Sequence, residues 1–437
     1  MNPFDYLLSL EKFGIKFGLA NIRALCGALG HPQASYPSIL IGGTNGKGSV
    51  TAMVDCALRA AGLQSARYTS PHLVRLEERF VIGGKPVQTA TLAEVVQDIR
   101  QIVDALVEAG MLEASPTFFE VTTAVAFELF RRARVDCAVL EVGLGGRFDA
   151  TNVVDPIAAV ITSIDFDHEQ YLGQTLAAIA AEKAGIIRPG IPVVTGRMEP
   201  EAFDVIASKC AEVGARVVPA ETGVQTTART DAGRTMIDLQ TPGADYGEVP
   251  LGLRGEHQIG NSIVAARLLE ELASGLPATR RFSLGKDAII AGLRDVQWPG
   301  RLQLVELAST RVLLLDGAHN PAGALALASY LRREFPERVP LVFAAMLDKN
   351  AGRMLDALLP AASAVVCTTP RLRRARAARE LAEMARVRMP ALKVIVEPEP
   401  GSALETAWTL GPTVCASGSI FLIGELLELV ESRRQTA

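Results

Sequence analysis

The sequence predicts an α/β protein of two consecutive domains, each a largely parallel sheet with helices on both faces. Three observations carry this reading. Apolar strand-like runs alternate with helix-like stretches from Ser38 to about Ala220, the pattern of strand–helix–strand units. A glycine-rich turn over Gly42–Ser49 joins a β-branched run ending at Ile41 to a helix-compatible run from Val50 to Ala61. Proline and glycine then break the pattern at Gln297-Trp298-Pro299-Gly300, and a second strand–helix series starts just beyond.

Taken in order, Asp136–Val142, Ile157–Ser163 and Ile191–Gly196 read as strands of the first series, and Leu176–Ile187 as one of its helices. From Glu221 to Leu251 the texture turns to Thr, Gly and Asp. Short alternating segments there, Gln225–Ala228 and Thr235–Leu239, predict antiparallel strands at the edge of the sheet. A helix resumes near His257–Ala273. Beyond the break, Arg311–Leu315, Leu341–Ala345, Ala364–Thr368 and Leu392–Val396 read as strands separated by helices. The domains are therefore 1–297 and 298–437. A ligand belongs in the cleft between them, at the carboxyl ends of the strands. The basic run Arg371-Leu372-Arg373-Arg374-Ala375-Arg376 offers an anion patch, but charge runs of this kind read first as a solvated helix face.

Composition limits the functions. With 437 residues and 49% apolar content, both domains can fill proper cores. A net charge of −4 and 21% charged residues argue against a nucleic-acid partner. The six cysteines are scattered without a C-x-x-C pair, which points to reduced, buried thiols and a cytoplasmic protein. The amino terminus MNPFDYLLSLEKFG has acids where a signal peptide needs basic and apolar regions, and no apolar run reaches membrane-spanning length. Neither a membrane nor a nucleic acid is expected as partner.

The turn GGTNGKGS has the parts of a phosphate cradle. Its glycines allow close backbone approach, the helix start aims free N–H groups at an anion, and Lys47 adds charge. Ser49 offers a hydroxyl to phosphate or metal. The string departs from the usual nucleotide loop because Gly48 stands between the lysine and the hydroxyl residue. Its context implies a nucleoside triphosphate. Glu141, at the carboxyl end of a strand, is placed to hold Mg²⁺. His168 follows a strand end beside Asp165 and Asp167, whereas His257 reads equally well as structural. Lys183 lies in an apolar helix and is either snorkelling or functionally perturbed. Asp316 and His319 flank Gly317-Ala318 after a strand of the second domain, and Trp298 and Arg301 border the break. Phe118 and Phe119, read alone, favour core packing.

Nine strings occur here in one order: GTNGKGS, YTSPHL, EVGLGGRFDATN, DHEQYLGQT, EKAGIIRPG, HQIGN, WPGRL, DGAHNP and GSIFLIGE. Together they closely resemble the folylpolyglutamate synthase/dihydrofolate synthase family of the Mur ligase superfamily, over nearly the whole chain. The resemblance implies a P-loop three-layer α/β ATPase domain of the Mur ligase central type, followed by a Rossmann-like glutamate-ligase domain. It implies ATP-dependent addition of L-glutamate to folate, and to dihydropteroate, through an acyl phosphate.

By the same resemblance, Thr44, Asn45, Gly46, Lys47, Gly48 and Ser49 hold the triphosphate. Ser70 and Glu141 bind one Mg²⁺ and His168 a second. Lys183 is carbamylated, and Asn261, Arg301 and Asp316 contact ATP. Thr117, Phe118, Phe119 and Glu120, with Phe148, Asp149 and Ala150, match the pterin-binding segments. His319 and Ser419 belong to the glutamate site. Lys47, His168, Lys183, Asp316 and His319 are then the catalytic candidates, and a monomer is expected. Near Lys16-Phe17-Gly18 some bifunctional members carry an acid where this chain has Lys16, which weighs against the dihydropteroate-dependent step.

Two other readings compete. A UDP-muramoyl amino-acid ligase shares the loop and cleft but needs a further domain, and only about 40 residues precede the loop. A regulatory nucleotide switch lacks its guanine-reading NKxD or TKxD string and leaves the second domain without a role.

Overall fold

The computed structural model describes residues 2–436 apart from 15, 17, 113–114, 232, 277–281 and 308–310. Eight strands form the first sheet: β1 (Ser38–Gly42), β2 (Ser65–Tyr68), β3 (Phe80–Ile82), β4 (Lys85–Pro86), β5 (Cys137–Glu141), β6 (Ala158–Ile161), β7 (Pro192–Thr195) and β8 (Arg216–Pro219). Their order is β4-β3-β2-β5-β1-β6-β7-β8. Neighbours run parallel except in the β2–β3 and β3–β4 pairs.

Strand β1 shows why the middle of this sheet is continuously apolar. Ile39 and Ile41 enter one core and Leu40 the other, as alternating side chains must when helices cover both faces. Each such buried side chain contributes about 1.5–3 kcal/mol. Helices Pro3–Ser9, Ala20–Ala28, Thr89–Glu108 and Phe118–Ala133 line the first core; Lys47–Ala60, His257–Glu270 and Lys286–Arg294 line the second. The helix expected from Val50 starts three residues earlier, at Lys47.

Strands β9 (Gln225–Asp231), β10 (Arg234–Gln240) and β11 (Asp245–Pro250) are antiparallel. They do not extend the first sheet, contrary to expectation, but form a separate three-stranded sheet. The alternation explains this. Ile237 and Leu239 of β10, with Val249 of β11, point into the second core. The small sheet therefore packs by its face instead of lengthening the hydrogen-bond ladder.

The second large sheet contains β12 (Gln303–Glu306), β13 (Val312–Leu315), β14 (Val339–Phe343), β15 (Ala362–Cys367), β16 (Lys393–Val396) and β17 (Thr413–Ser417). Its order is β12-β13-β17-β14-β15-β16, and β12 alone is antiparallel to its neighbour. Helices again cover both faces.

The basic run is not a helix face. Residues 371–376 form a turn before the helix Ala378–Arg388. Leu347 N donates to Arg374 O at 2.9 Å, and Arg376 N donates to Ala345 O at 2.9 Å. These bonds occupy main-chain groups that a helix would need. All six cysteines are free and buried. Among the described residues no helix is long and apolar enough to cross a membrane.

Candidate functional site

The loop after β1 is shaped by steric limits on its glycines. Gly43 and Gly46 have φ values of 137° and 86°. A Cβ on Gly43 would lie 2.0 Å from Thr162 Oγ1, and one on Gly46 2.3 Å from Asn261 Oδ1. Only glycine fits both positions. The unusual Gly48 has a cause too. A Cβ there would stand 2.7 Å from the Trp298 ring, and the Arg67 guanidinium lies over the same indole, 5.2 Å from the ring centroid. The tryptophan at the break between the sheets thus occupies the space a side chain would need.

Strand β6 leads into residues that brace the loop. Thr44 N donates to Ser163 O at 2.8 Å, Asn45 N to Ser163 Oγ at 3.1 Å, and Thr162 Oγ1 to Asn45 O at 2.6 Å. The helix begins at Lys47, so its unpaired first-turn N–H groups open toward the loop. Lys47 Nζ donates to the carbonyls of Gly43 and Thr44, both at 3.1 Å. Burial lowers its pKa, with Glu141 and Asp167 acting in the opposite direction. Ser49 Oγ accepts from Gln258 Nε2 at 3.2 Å, and Asn261 Nδ2 donates to Gln258 Oε1 at 2.9 Å.

Sheet register brings Glu141 beside this loop, since Ile41 and Glu141 are direct partners. Glu141 Oε2 accepts from Ser70 N at 3.1 Å. Burial raises the carboxyl pKa, opposed by Lys47 and that N–H. Among the described residues no three His, Cys, Asp or Glu side chains are grouped to hold a metal. A cation here would take only one or two protein ligands, which suits Mg²⁺ with its waters and phosphate oxygens. His168 adopts a left-handed backbone, φ 51°. Its Nε2 lies 3.1 Å from Lys349 Nζ, and its Nδ1 is buried without a hydrogen-bond partner. Burial pulls its pKa down to about 4, with Asp167 opposing. The ring is therefore neutral near pH 7, as a metal ligand must be. Lys183 closes the helix Leu176–Lys183 and is 4% exposed. Its Nζ donates to Gly43 O at 2.7 Å. Burial first, and Lys47 second, lower its pKa to about 7.

The second sheet faces this edge. Asp316, just past β13, accepts from Leu302 N and Ala318 N, both at 3.0 Å. His319 Nδ1 lies 2.8 Å from Gly317 O, and burial lowers the ring pKa to about 4. Arg301 packs so tightly that a Cβ on Gly317 would be 2.1 Å from its Nη1. Lys349 and Asn320, which the sequence does not single out, complete the junction with Asp167. Lys349 Nζ sits 2.5 Å from Asp167 Oδ1, while Asn320 Nδ2 donates to Asp167 Oδ2 at 3.2 Å and to Asn45 Oδ1 at 2.9 Å. Asp167 had been noticed only as a neighbour of His168. Lys349 follows the end of β14, so the rule that ligands gather at the carboxyl ends of strands was the available signal.

The far end of the cavity is built around a helix start. Thr117 caps the helix Phe118–Ala133: Glu120 N donates to Thr117 Oγ1 at 3.2 Å, and Thr117 N donates to Glu120 Oε2 at 2.7 Å. Asp149 accepts from Leu144 N, Thr151 N and Thr151 Oγ1 at 2.9, 3.0 and 2.6 Å. Phe119 faces the cavity, its ring centroid 6.0 Å from that of Tyr68, and Phe148 is 42% exposed. Lys16 Nζ donates to Ser115 O at 2.9 Å; Phe17 is outside the described residues.

One cavity of about 670 Å³ joins these groups. Its walls include Thr44–Ser49, Ser70, Thr117, Phe119, Glu120, Glu141, Phe148–Ala150, His168, Lys183, Asn261, Arg301, Asp316, His319 and Ser419. Phe118 does not reach the wall. It packs under the Arg79 guanidinium, 5.0 Å from the ring centroid, and against the first core, because consecutive helical residues point about 100° apart.

Comparison with known proteins agrees with this arrangement. Residues 41–269 match the Mur ligase middle domain and residues 300–420 the Mur ligase glutamate ligase domain. The chain is 41% identical over 363 residues to the dihydrofolate synthase/folylpolyglutamate synthase of Mycobacterium tuberculosis, covering 80% of this chain and 74% of that protein. It is similar to the solved Mycobacterium tuberculosis folylpolyglutamate synthase complexed with ADP, with a TM-score of 0.90 at 35% identity over 98% of this chain and 99% of that one. A bifunctional folylpolyglutamate synthase/dihydrofolate synthase with Mn, AMPPNP and L-glutamate bound gives a TM-score of 0.83 at 30% identity, over 99% of this chain and 98% of that one. With two matching domains and such relatives along its length, the chain belongs to the folylpolyglutamate synthase/dihydrofolate synthase family of the Mur ligase superfamily.

Proposed function

We propose that this protein is an ATP-dependent ligase that joins L-glutamate to the γ-carboxylate of a folate and to dihydropteroate. The observation that carries the reading is convergence. The phosphate-type loop, Glu141 and His168 share one cavity with Asp316 and His319 of the second lobe and with Phe119 and Asp149 at its far end. The relatives named for these activities, and the related structures with ADP or with Mn, AMPPNP and L-glutamate, support the same assignment. In this reading 1–297 is a P-loop three-layer ATPase domain and 298–437 a Rossmann-like glutamate-ligase domain. The protein works as a cytoplasmic monomer without nucleic-acid or membrane partners.

A carboxylate is a poor acyl donor because oxide is a poor leaving group. Transfer of the terminal phosphoryl group of ATP to a carboxylate oxygen releases ADP and leaves an acyl phosphate. The amine of glutamate then attacks the acyl carbon, the bond to the phosphate oxygen breaks, and the amine nitrogen loses a proton. Catalysis of both steps is mainly positioning and charge neutralisation. Thr44–Ser49 cradle the phosphates, Lys47 offsets their charge, and Asn261, Arg301 and Asp316 hold the nucleotide. Ser70 and Glu141 would hold one Mg²⁺ and His168 a second, supplying further charge neutralisation. Lys183, carbamylated, would present a carboxylate toward the metal. Thr117, Phe119, Glu120, Phe148, Asp149 and Ala150 receive the pterin, and His319 and Ser419 orient glutamate.

Purified protein should release ADP only when glutamate and a pterin-linked acid are both present. Comparing dihydropteroate with tetrahydrofolate as acceptor separates the two ligations. Lys47→Ala should lower ADP release by about a thousandfold. ADP formation that ignores the acceptor would overturn the assignment.

A further inference from the structure

The arginines at 371, 373, 374 and 376 are not used by the reaction described above. Their loop is fixed by its main chain, through the bonds from Leu347 N and Arg376 N and an isolated bridge between Met346 and Ala375. The side chains divide into two kinds. Arg371 meets Glu399 at 3.6 Å and Arg376 meets Glu380 at 3.3 Å, so the outer two are offset by acids. Arg373 and Arg374 are exposed and form no ion pair with a carboxylate among the described residues. Arg374 lines the cavity next to Ser419, Ile420 and Phe421, with its guanidinium 5.0 Å from the Phe421 ring centroid. A guanidinium laid on an aromatic face is held in place, while its edge donors stay free for a planar anion.

We propose that Arg374, assisted by Arg373, is a subsite for the α-carboxylates of glutamates already attached to the folate. The inference rests on the ligase reading and assigns residues to the longer acceptors of that reaction. A γ-linked chain keeps one free α-carboxylate for every residue added, so each product is a more acidic acceptor than the last. Both ends of that acceptor are fixed, the pterin near Phe119 and Asp149 and the reacting carboxylate near Lys47. Residues added between fixed ends have to bow toward solvent. Arg374 stands unneutralised on the cavity wall with the exposed Arg373 next to it in the chain, where a bowed chain would present its carboxylates.

The test compares tetrahydrofolate carrying one and three glutamates, and separately titrates free L-glutamate, for the wild type, Arg374→Ala, Arg374→Lys and the Arg373→Ala/Arg374→Ala pair. The ratio of kcat/KM for the triglutamate over the monoglutamate should fall about tenfold in Arg374→Ala, equivalent to about 1.4 kcal/mol. It should fall further in the double variant and be only partly kept in Arg374→Lys, which retains the charge but neither the planar fork nor the stacking. Added salt should erode the wild-type ratio in the same direction. The bonds that tie the loop to the segment after β14, at Arg374 O and Arg376 N, are backbone bonds that substitution of the Arg373 and Arg374 side chains leaves in place, and the lysine variant controls for folding. An unchanged ratio in the double variant would overturn the proposal. So would a rise confined to KM for free L-glutamate, which would assign Arg374 to the incoming amino acid. Wild-type protein that releases no ADP with either folate would instead bring down the ligase reading itself.

Discussion

Lys183 is a buried amine whose hydrogen-bond partner is a backbone carbonyl, Gly43 O. Its pKa of about 7 leaves a large neutral fraction near neutral pH, and the neutral amine is the form that adds carbon dioxide. Between about 7 and the ordinary 10.5 the folded chain has released this proton while the unfolded chain still holds it. Stability and the reactive fraction both rise with pH across that window. In bicarbonate-free buffer the thermal midpoint should therefore climb as pH passes upward through about 7, and a midpoint that falls contradicts the assignment. Lys183→Ala should lose activity that short carboxylic acids partly restore, and intact wild-type protein should weigh one carbon dioxide more than its sequence. An unmodified mass without rescue removes the role. Lys183 was noticeable in the sequence because a lysine among alanines and isoleucines is out of place. Lys349 was not, because nothing local marks a lysine in a loop as the partner of an acid 182 positions away.

At the scale of elements, the start of the helix Lys47–Ala60 shows what a motif conveys and what it omits. The string foretells strand, turn and helix, yet the reason for Gly48 lies in Trp298, far along the chain. Gly48→Ala should weaken binding of a non-hydrolysable ATP analogue about tenfold or more, read by calorimetry, because its Cβ would stand 2.7 Å from the indole. Trp298→Ala should relieve much of that loss, and a double-mutant cycle showing no coupling would disprove the packing argument. The cap at Thr117 makes a second case. Thr117→Ala should cost about 1–2 kcal/mol in denaturant unfolding and raise KM for the acceptor, since the Glu120 carboxylate loses the Thr117 hydroxyl and keeps only the Thr117 N–H as partner. The aromatic pair was legible as a pair, but only helix geometry tells that Phe119 meets the cavity and Phe118 does not. Likewise the basic run looked helical by composition, while its backbone is tied to the loop after β14.

Across the whole molecule, the two lobes meet through polar side chains at the cavity. Asp167 pairs with Lys349, and Asn320 bonds both Asp167 and Asn45. Burial alone would raise the Asp167 pKa, but Lys349, His168 and His319 hold it well below the usual carboxylate range. The contact is therefore fully present above the ordinary carboxylate pKa and is lost as pH falls through the depressed one. Lys349→Ala leaves a buried carboxylate unpaired and should cost about 3–5 kcal/mol of lobe docking. Small-angle scattering should show a larger radius of gyration, and kcat and ATP affinity should both fall, because Arg301 and Asp316 reach the shared cavity from the second lobe. A cleft was foreseeable from two α/β units joined at a break, but not its clasp, since Asn320 and Asn45 are 275 positions apart. Opening of that clasp can be watched directly. All six native cysteines are buried, with Cys56, at 8%, the most accessible. A dye-reactive cysteine introduced on each lobe would thus label well ahead of the native thiols, and energy transfer between the dyes would follow every cycle of gaping and shutting during turnover.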